Sequence, residues 1–554
     1  MVCAGGHPGG GRVDRWPCSL RTRRLQRSPG RRHGPQRGRH PACDARHGRH
    51  QPHPGGAAAE RRRNAAGAHH RSKRADHLHG ACASGDGAVR RVRQHPPDRR
   101  AVCLEQHRER PADHVGPAGM TAEVMSAAPP VAAPATASRL LAGPAWSADH
   151  ERLAEHCHRL GLRPEGGEWL LRSLQDSGLG GRGGAWFPTW RKWALVAQRS
   201  QGRSVVVANA SEGEPLSAKD RTLVELRPHL VLDGAVLAAE TVGAREVVVY
   251  LSRGARAAHH AIARALGERR DAGVSEPPIR IVRTAHRYIA GESSAVVRRI
   301  SGGPSKPQFA PPSPSQRGIG GEPTLVQNVE TLAHVALIAR RGSAWFRELG
   351  TVGSPGSTLM TLCGNVGRPG VYEVDLAAEV GGVLQLAGIR SAGAAALLGG
   401  YFGTWLAADT LPHLPLDAAA LGEGHGASLG CGVLAVLPEE ACGIIEAARI
   451  VSYLAAQTAG QCGPCVHGLK AIAATMTRVA SAEAVPADID RVRQWMRLVR
   501  GRGVCRHPDG AISQLGSALV VFADHLGAHL DGPGCVKRHN SGFPRPPRSA
   551  RGWR

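Results

Sequence analysis

Apolar positions along residues 168–300 switch between two periods. Trp169, Leu170, Leu171 and Leu174 fall on one face of a 3.6-residue repeat, which predicts a helix that Gly178 ends. Continuous apolar runs then alternate with helical patterns. Ser204–Asn209, Glu246–Leu251 and Ile279–Arg283 read as buried strands. Pro188 to about Gln198, Pro228–Val242, Arg256–Arg270 and Glu292–Ile300 read as helices. Strands separated by helices of this length predict an α/β fold with a parallel sheet covered on both faces. In such a sheet ligands sit beyond the carboxyl ends of the strands. Asn209–Pro215 and Tyr288–Glu292 fall at those ends.

The pattern changes at Gly356. Two short strands flank an Arg368-Pro-Gly turn, opening a small β-rich module to about Leu406. Beyond Glu439 the period is helical again, with Ile444, Ile445, Ala448, Val451 and Leu454 on one stripe. Helices also fit Leu469–Ala480, Asp488–Val499 and Ile512–Leu530, which predicts a terminal helical bundle.

Between the first helix and the first strand lies Ser177-Gly-Leu-Gly-Gly-Arg-Gly-Gly-Ala-Trp-Phe-Pro188. A backbone so poor in Cβ atoms can close its N–H groups around a flat or phosphorylated ligand, and Arg182 and Lys192 add positive charge. A flexible linker between two helices has the same composition, so the loop alone decides nothing.

Charge sorts the chain by region. The formal net charge is +26, yet residues 1–119 hold 25 Lys and Arg against 9 Asp and Glu, and residues 536–554 add six basic residues and no acid. Residues 120–535 are left with +4, ordinary for a soluble protein. Residues 1–119 lack aliphatic periodicity and are too rich in Arg, His, Pro and Gly to bury a core. A nucleic-acid-binding arm, a transit peptide and translation upstream of the true start are the three readings. Pro and His throughout argue against an amphipathic transit helix, and translation from upstream of Met120 or Met125 is favoured. No run of eighteen apolar residues predicts a membrane span. Of 13 cysteines, five lie in residues 1–119 and most others are scattered, which fits a reducing compartment and a cytoplasmic protein.

With these blocks in order, residues of about 150–535 resemble the NADH-oxidising flavoprotein subunit of respiratory complex I and its relatives in soluble hydrogenases and formate dehydrogenases. The matching segments are Gly181–Lys192, Asn209–Pro215, Lys219-Asp-Arg221, Gly291-Glu292, Pro323–Thr331, Arg368–Glu373 and Gly460–Cys465. The resemblance implies a Rossmann-like FMN domain over 145–350, a β-grasp (SLBB-like) module over 351–430 and a helical iron–sulfur domain over 431–535. A disordered leader, 1–144, and a disordered basic tail, 536–554, complete the expected organisation.

The resemblance also assigns residues. Gly181, Arg182, Gly183, Gly184, Ala185, Phe187, Lys192, Asn209, Ser211, Glu212, Glu214, Tyr288, Gly291, Glu292, Gln327, Asn328 and Thr331 are expected to hold FMN or NADH, with Glu214 and Lys192 assisting the chemistry. Ser211 replaces an Asp of the family pattern and Gln327 an Asn. Leu195 and Ser313 stand where adenine-gripping aromatics are expected, and Ser293 replaces the second Glu of a Gly-Glu-Glu motif. Cys462, Cys465 and Cys505 are expected to bind an iron–sulfur cluster, but Ala459 occupies the position of a fourth cysteine. Four thiolates are the norm for a [4Fe–4S] cluster. Three leave a four-iron cluster with an outside ligand (water, His467 or Cys442), a three-iron cluster, a zinc site of three Cys and one His, or no metal. The implied activity is electron transfer from NADH through FMN and the cluster to a partner such as a ferredoxin or a second subunit. The alternative is a non-catalytic or assembly homologue that keeps the fold. Neither nucleic-acid binding nor a membrane span is expected, and any membrane association would be peripheral.

Overall fold

The computed structural model describes residues 138–554, apart from 145–149, 390–392, 533–534, 538–539, 547–551 and 554. The upstream start-site question therefore lies outside the described residues.

Two helices, α1 (Leu153–Leu160) and α2 (Glu168–Ser177), precede the glycine loop, and Gly178 ends α2 in the left-handed conformation with φ 68°. Helix α3 (Thr189–Ser200) leads into β1 (Ser204–Ala210). Then follow α4 (Lys219–Leu226), α5 (Pro228–Val242), β2 (Ala244–Ser252), α6 (Arg256–Asp271), β3 (Ile279–Thr284) and α7 (Ser293–Ile300). A fourth strand, β4 (Thr324–Asn328), and helix α8 (Val329–Phe346), broken at Gly342, close the domain. The sheet is parallel in the order β3-β2-β1-β4. Alternate residues of each strand serve opposite cores. Val206, Ala208, Val247 and Val249 join the large cluster under α3, α5 and α8, while Val205, Val207, Val248 and Tyr250 pack on α7. This double burial explains why the strands read as continuous apolar runs.

The β module pairs β5 (Ser357–Gly364) antiparallel with β6 (Gly370–Asp375) across the Arg368-Pro-Gly turn. Three further strands, β7 (Ala395–Leu398), β8 (Thr404–Ala407) and β9 (Val433–Leu437), complete a five-stranded sheet in the order β6-β5-β9-β7-β8, with α9 (Val380–Leu386) and α10 (Ala418–His425) between them. Its middle strand thus comes after residue 430, where the module was expected to end.

The helical part contains α11 (Gly443–Ala456), a π-helical turn over Pro464–Leu469, α12 (Lys470–Ala480) and α13 (Pro486–Val499). The helix expected over Ile512–Leu530 is two helices, α14 (His507–Val521) and α15 (Ala523–Asp531), bent by 82° at Phe522. Phe522 turns inward there, its ring edge-on to Trp405 at 5.0 Å. Among the described residues no single helix is long and apolar enough to cross a membrane; the α14–α15 pair passes only as a bent pair.

Within the leader and tail expected to be disordered, the described residues 138–144 and 540–546 pack against the rest of the chain. Leu140 and Leu141 are buried, and the Glu373 carboxylate accepts the backbone N–H groups of Arg139, Leu140 and Leu141 at 2.8, 2.8 and 3.1 Å. In the tail, Phe543 is buried and stacks on Trp405 at 6.1 Å, and the Ser305 N–H donates to the Trp553 carbonyl at 2.7 Å. Apolar rings in a basic segment found partners that charge counting does not reveal.

Candidate functional site

A 240 Å³ cavity opens at the carboxyl end of β1, where parallel strands leave room for ligands. From the expected set it is lined by Arg182, Gly183, Asn209, Ser211, Glu212, Glu214, Tyr288, Gly291, Glu292, Asn328 and Cys505. The loop after β1 is pulled against the loop after β3. Asn209 Nδ2 donates to the Gly291 carbonyl at 2.9 Å, and a Cβ on Gly213 would come within 2.3 Å of the Tyr288 carbonyl oxygen.

Glu214 is a buried acid of the cavity, as is Asp220. Its carboxylate accepts Tyr288 Oη–H at 2.9 Å, the Tyr401 N–H at 2.8 Å and the Leu216 N–H at 3.2 Å. Burial outweighs these donors, and Glu212 adds repulsion, so the carboxyl is pushed up to about 7. It can therefore hold or release a proton near neutral pH. Gly400, at φ 87°, passes so close that a Cβ there would lie 2.7 Å from this carboxylate. Glu212 accepts Ser217 Oγ–H at 2.6 Å and the Asp220 N–H at 3.2 Å through Oε1, while its Oε2 is buried without a partner.

Other expected residues do local structural work. Asn328 caps α8, accepting the Glu330 and Thr331 N–H groups, and donates to Asp220 Oδ2 at 2.8 Å. Glu292 caps α7 by accepting the Ser294 and Ala295 N–H groups, both at 3.0 Å. Thr331 Oγ1 accepts the Arg182 N–H at 2.8 Å and so fixes the glycine loop. Lys219, inside the cavity wall, ties Asp220 to Glu330 at 2.7 Å each.

Arg182 and Lys192 sit differently from a pair of free phosphate ligands. The Arg182 guanidinium is buried, donates to the Pro355 and Ser357 carbonyls at 3.3 and 3.1 Å, and lies 4.1 Å over Trp186. Burial lowers it to about 10. Lys192 Nζ donates to the Val326 carbonyl at 2.6 Å, and burial lowers it to about 8. Lys192, Gly181, Gly184, Ala185, Phe187, Gln327 and Thr331 are not among the residues lining the cavity. Phe187, Leu195 and Phe309 are exposed large apolar side chains. Phe309 was missed in the sequence. It stands four residues before Ser313 and lines a second hollow beside α7 with Arg298 and Arg317.

The same cavity wall carries Phe402, Cys431, Arg506 and His507, which sequence reasoning did not assign. Cys505 leads into α14, whose first residue, His507, is buried and shares a 2.8 Å hydrogen bond with the Leu454 carbonyl through Nε2. Cys465 lies within hydrogen-bonding reach of Cys462 and feels the charge of Cys505, so the three thiols gather at one place. Ala459 is buried beside them in sequence, where the fourth thiol was expected. Cys442 cannot complete the set. It caps the start of α11, and that helix of 14 residues puts about 21 Å of rise between it and the turn leading to Cys462.

Residues 174–337 match the model of the Nuo51 FMN-binding domain, and residues 446–529 match the NADH-ubiquinone oxidoreductase-F iron–sulfur binding region. The F subunit of NADH-quinone oxidoreductase from Mycobacterium bovis is 34% identical over 384 residues, covering 66% of this chain and 85% of that protein. The chain belongs to the family of these F subunits. The Streptomyces coelicolor relative, an F subunit of the same enzyme, is 31% identical over 378 residues, with coverage of 66% and 84%. An NAD+-reducing [NiFe]-hydrogenase in the H2-reduced state superposes with a TM-score of 0.60 at 30% identity over 65% of this chain. The chain spans 62% of that hydrogenase chain.

As a member of this family, the chain is a flavin/iron–sulfur oxidoreductase of the NADH dehydrogenase type, and its cavity suits FMN. An unpaired buried carboxylate oxygen costs about 1–3 kcal/mol, and Glu212 Oε2 would accept a hydroxyl or N–H donor of a bound flavin. For the iron–sulfur group three thiols are on offer, Cys462, Cys465 and Cys505, and Ala459 stands where a fourth was expected.

Proposed function

We propose that this chain takes electrons from NADH into FMN held in the 240 Å³ cavity and passes them to an iron–sulfur centre on Cys462, Cys465 and Cys505. A second subunit or a ferredoxin-like carrier then receives them. The observation that supports this order is one cavity lined both by the acidic loop Ser211–Glu214 and by Cys505–His507. Bound FMN would supply the conversion between hydride and single-electron transfer. The protein's part is positional and electrostatic. Asn209, Glu212 and Glu292 offer polar groups at the strand ends, while Tyr288 and the Tyr401 N–H hold Glu214 against the cavity. A carboxyl raised to about 7 can exchange a proton at the pH where nicotinamide oxidation runs.

Anaerobic purification followed by flavin, iron and sulfide assays tests this reading. Bleaching of bound flavin by NADH and subsequent reduction of an iron–sulfur signal are expected. Bound flavin that ignores NADH would refute the donor. A second reading, a homologue that keeps the fold without turnover, is favoured by the buried Ala459. A folded protein free of both flavin and iron would establish it.

A further inference from the structure

A second group of metal-ligating side chains lies at the opposite end of α11 from the three thiols already described. Cys442 is the residue before the first turn of α11. Sγ of Cys442, a ring nitrogen of His525 and Sγ of Cys535 all lie within 4.8 Å of one another. His529, one turn after His525 on α15, places Nε2 3.3 Å from Cys442 Sγ. Two cysteines and one histidine thus meet at one point, and a second histidine, four residues on from the first, reaches Cys442. Zinc with Zn–S of about 2.3 Å and Zn–N of about 2.0–2.1 Å in a tetrahedron needs ligand atoms roughly 3.3–3.8 Å apart. Three of the four groups already lie within 4.8 Å of one another, and His529 completes the set by turning from Cys442 toward the other two.

We propose that Cys442, His525, His529 and Cys535 form a structural zinc site that fastens the C-terminal segment to the helical domain. Two thiolates and two neutral imidazoles balance the +2 charge of the ion. Cys442 stands at the open N-terminal end of α11. His525 Nδ1 accepts the Gly443 N–H at 3.2 Å, which holds the ring against the start of α11. The segment carrying Cys535 is anchored just beyond the site. Lys537 Nζ donates to the Glu439 carbonyl at 2.8 Å, and Phe543 stacks on Trp405 further along. His529 is buried, while His525 and Cys535 are partly open, which leaves a path for the ion. Closed four-ligand sets of this kind contribute folding energy and carry no reactive position.

The experiment uses the full chain, purified anaerobically with thiols reduced from medium containing iron and zinc, with both metals counted. About one zinc per chain, over and above the iron, is expected. Cys442→Ser and Cys535→Ser should each weaken zinc retention against a competing chelator by more than about tenfold, leaving flavin and iron in place. Cys462→Ser should do the reverse. His525→Gln provides a milder variant if the cysteine changes impair folding, and cobalt exchange into the unmutated chain should give the intense tetrahedral spectrum of a thiolate site. Zinc held equally well by the Cys442→Ser chain overturns the proposal. So does an octahedral or absent cobalt signal in the unmutated chain, or a Cys442–Cys535 disulfide under these reducing conditions.

Discussion

Replacing Glu214 with glutamine separates the cost of a buried charge from the value of the hydrogen bonds around it. In the folded chain the carboxyl titrates at about 7 instead of near 4.5. The folded state therefore binds more protons than the unfolded one between those values, and stability falls as pH rises through that window. The full penalty, about 3 kcal/mol, is present above pH 8 and absent below about pH 4. Glutamine removes it at every pH. With its oxygen toward Tyr288 and Tyr401 it keeps those two bonds, but its amide meets the Leu216 N–H, a pH-independent loss of about 1 kcal/mol. The variant should be less stable than the parent by about 1 kcal/mol near pH 4.5 and more stable by about 2 kcal/mol near pH 8.5. Urea unfolding of flavin-free protein at several pH values measures the difference directly. Asp220 and Glu225, also raised by burial, titrate in both proteins and cancel in the comparison. Two stability curves that run parallel from pH 4.5 to 8.5 would show that Glu214 is not held in a desolvated site.

Arg182→Ala should destabilise the chain by about 3–5 kcal/mol, because it strips the buried Pro355 and Ser357 carbonyls of their donor and leaves Glu330 short of a cation; Arg182→Lys should not restore stability. Denaturant midpoints check this, and folded variants that lose only flavin would refute it. Gly213→Ala drives a Cβ to within 2.3 Å of the Tyr288 carbonyl, so flavin absorbance per protein should fall sharply while the helical domain keeps its iron. Ala459→Cys supplies the missing thiol beside Cys462 and Cys465; anaerobic iron content and the low-temperature EPR spectrum should move toward a full four-iron centre. Unchanged iron would mean that position 459 does not face the centre.

The α/β domain was legible because double burial leaves its mark in composition. Pro228–Val242 matches α5 to the residue, and the strand ends locate the acidic loop. What escaped depended on partners distant in sequence. Lys219 ties Asp220 to Glu330 inside the cavity wall, and Arg182 reads as a ligand for phosphate but braces the start of the β module. The break at Phe522 hides inside a continuous apolar pattern, because only Trp405 and Gly443, which sit against that ring, require the turn. The gathering of Cys442, His525 and Cys535 could not be read from spacing, since folding brings them together across more than eighty positions.

The clasp formed by Glu373 sets an order of events during synthesis. Arg139, Leu140 and Leu141 leave the ribosome 232–234 residues before the carboxylate that accepts their N–H groups. Until β6 has been made, this entry segment is held from within the α/β domain, by the Arg227 guanidinium on the Leu141, Ala142 and Pro144 carbonyls, while its three N–H groups lack their carboxylate. The earliest described residues are thus completed late, and the β module acts as the fastener for a domain translated before it.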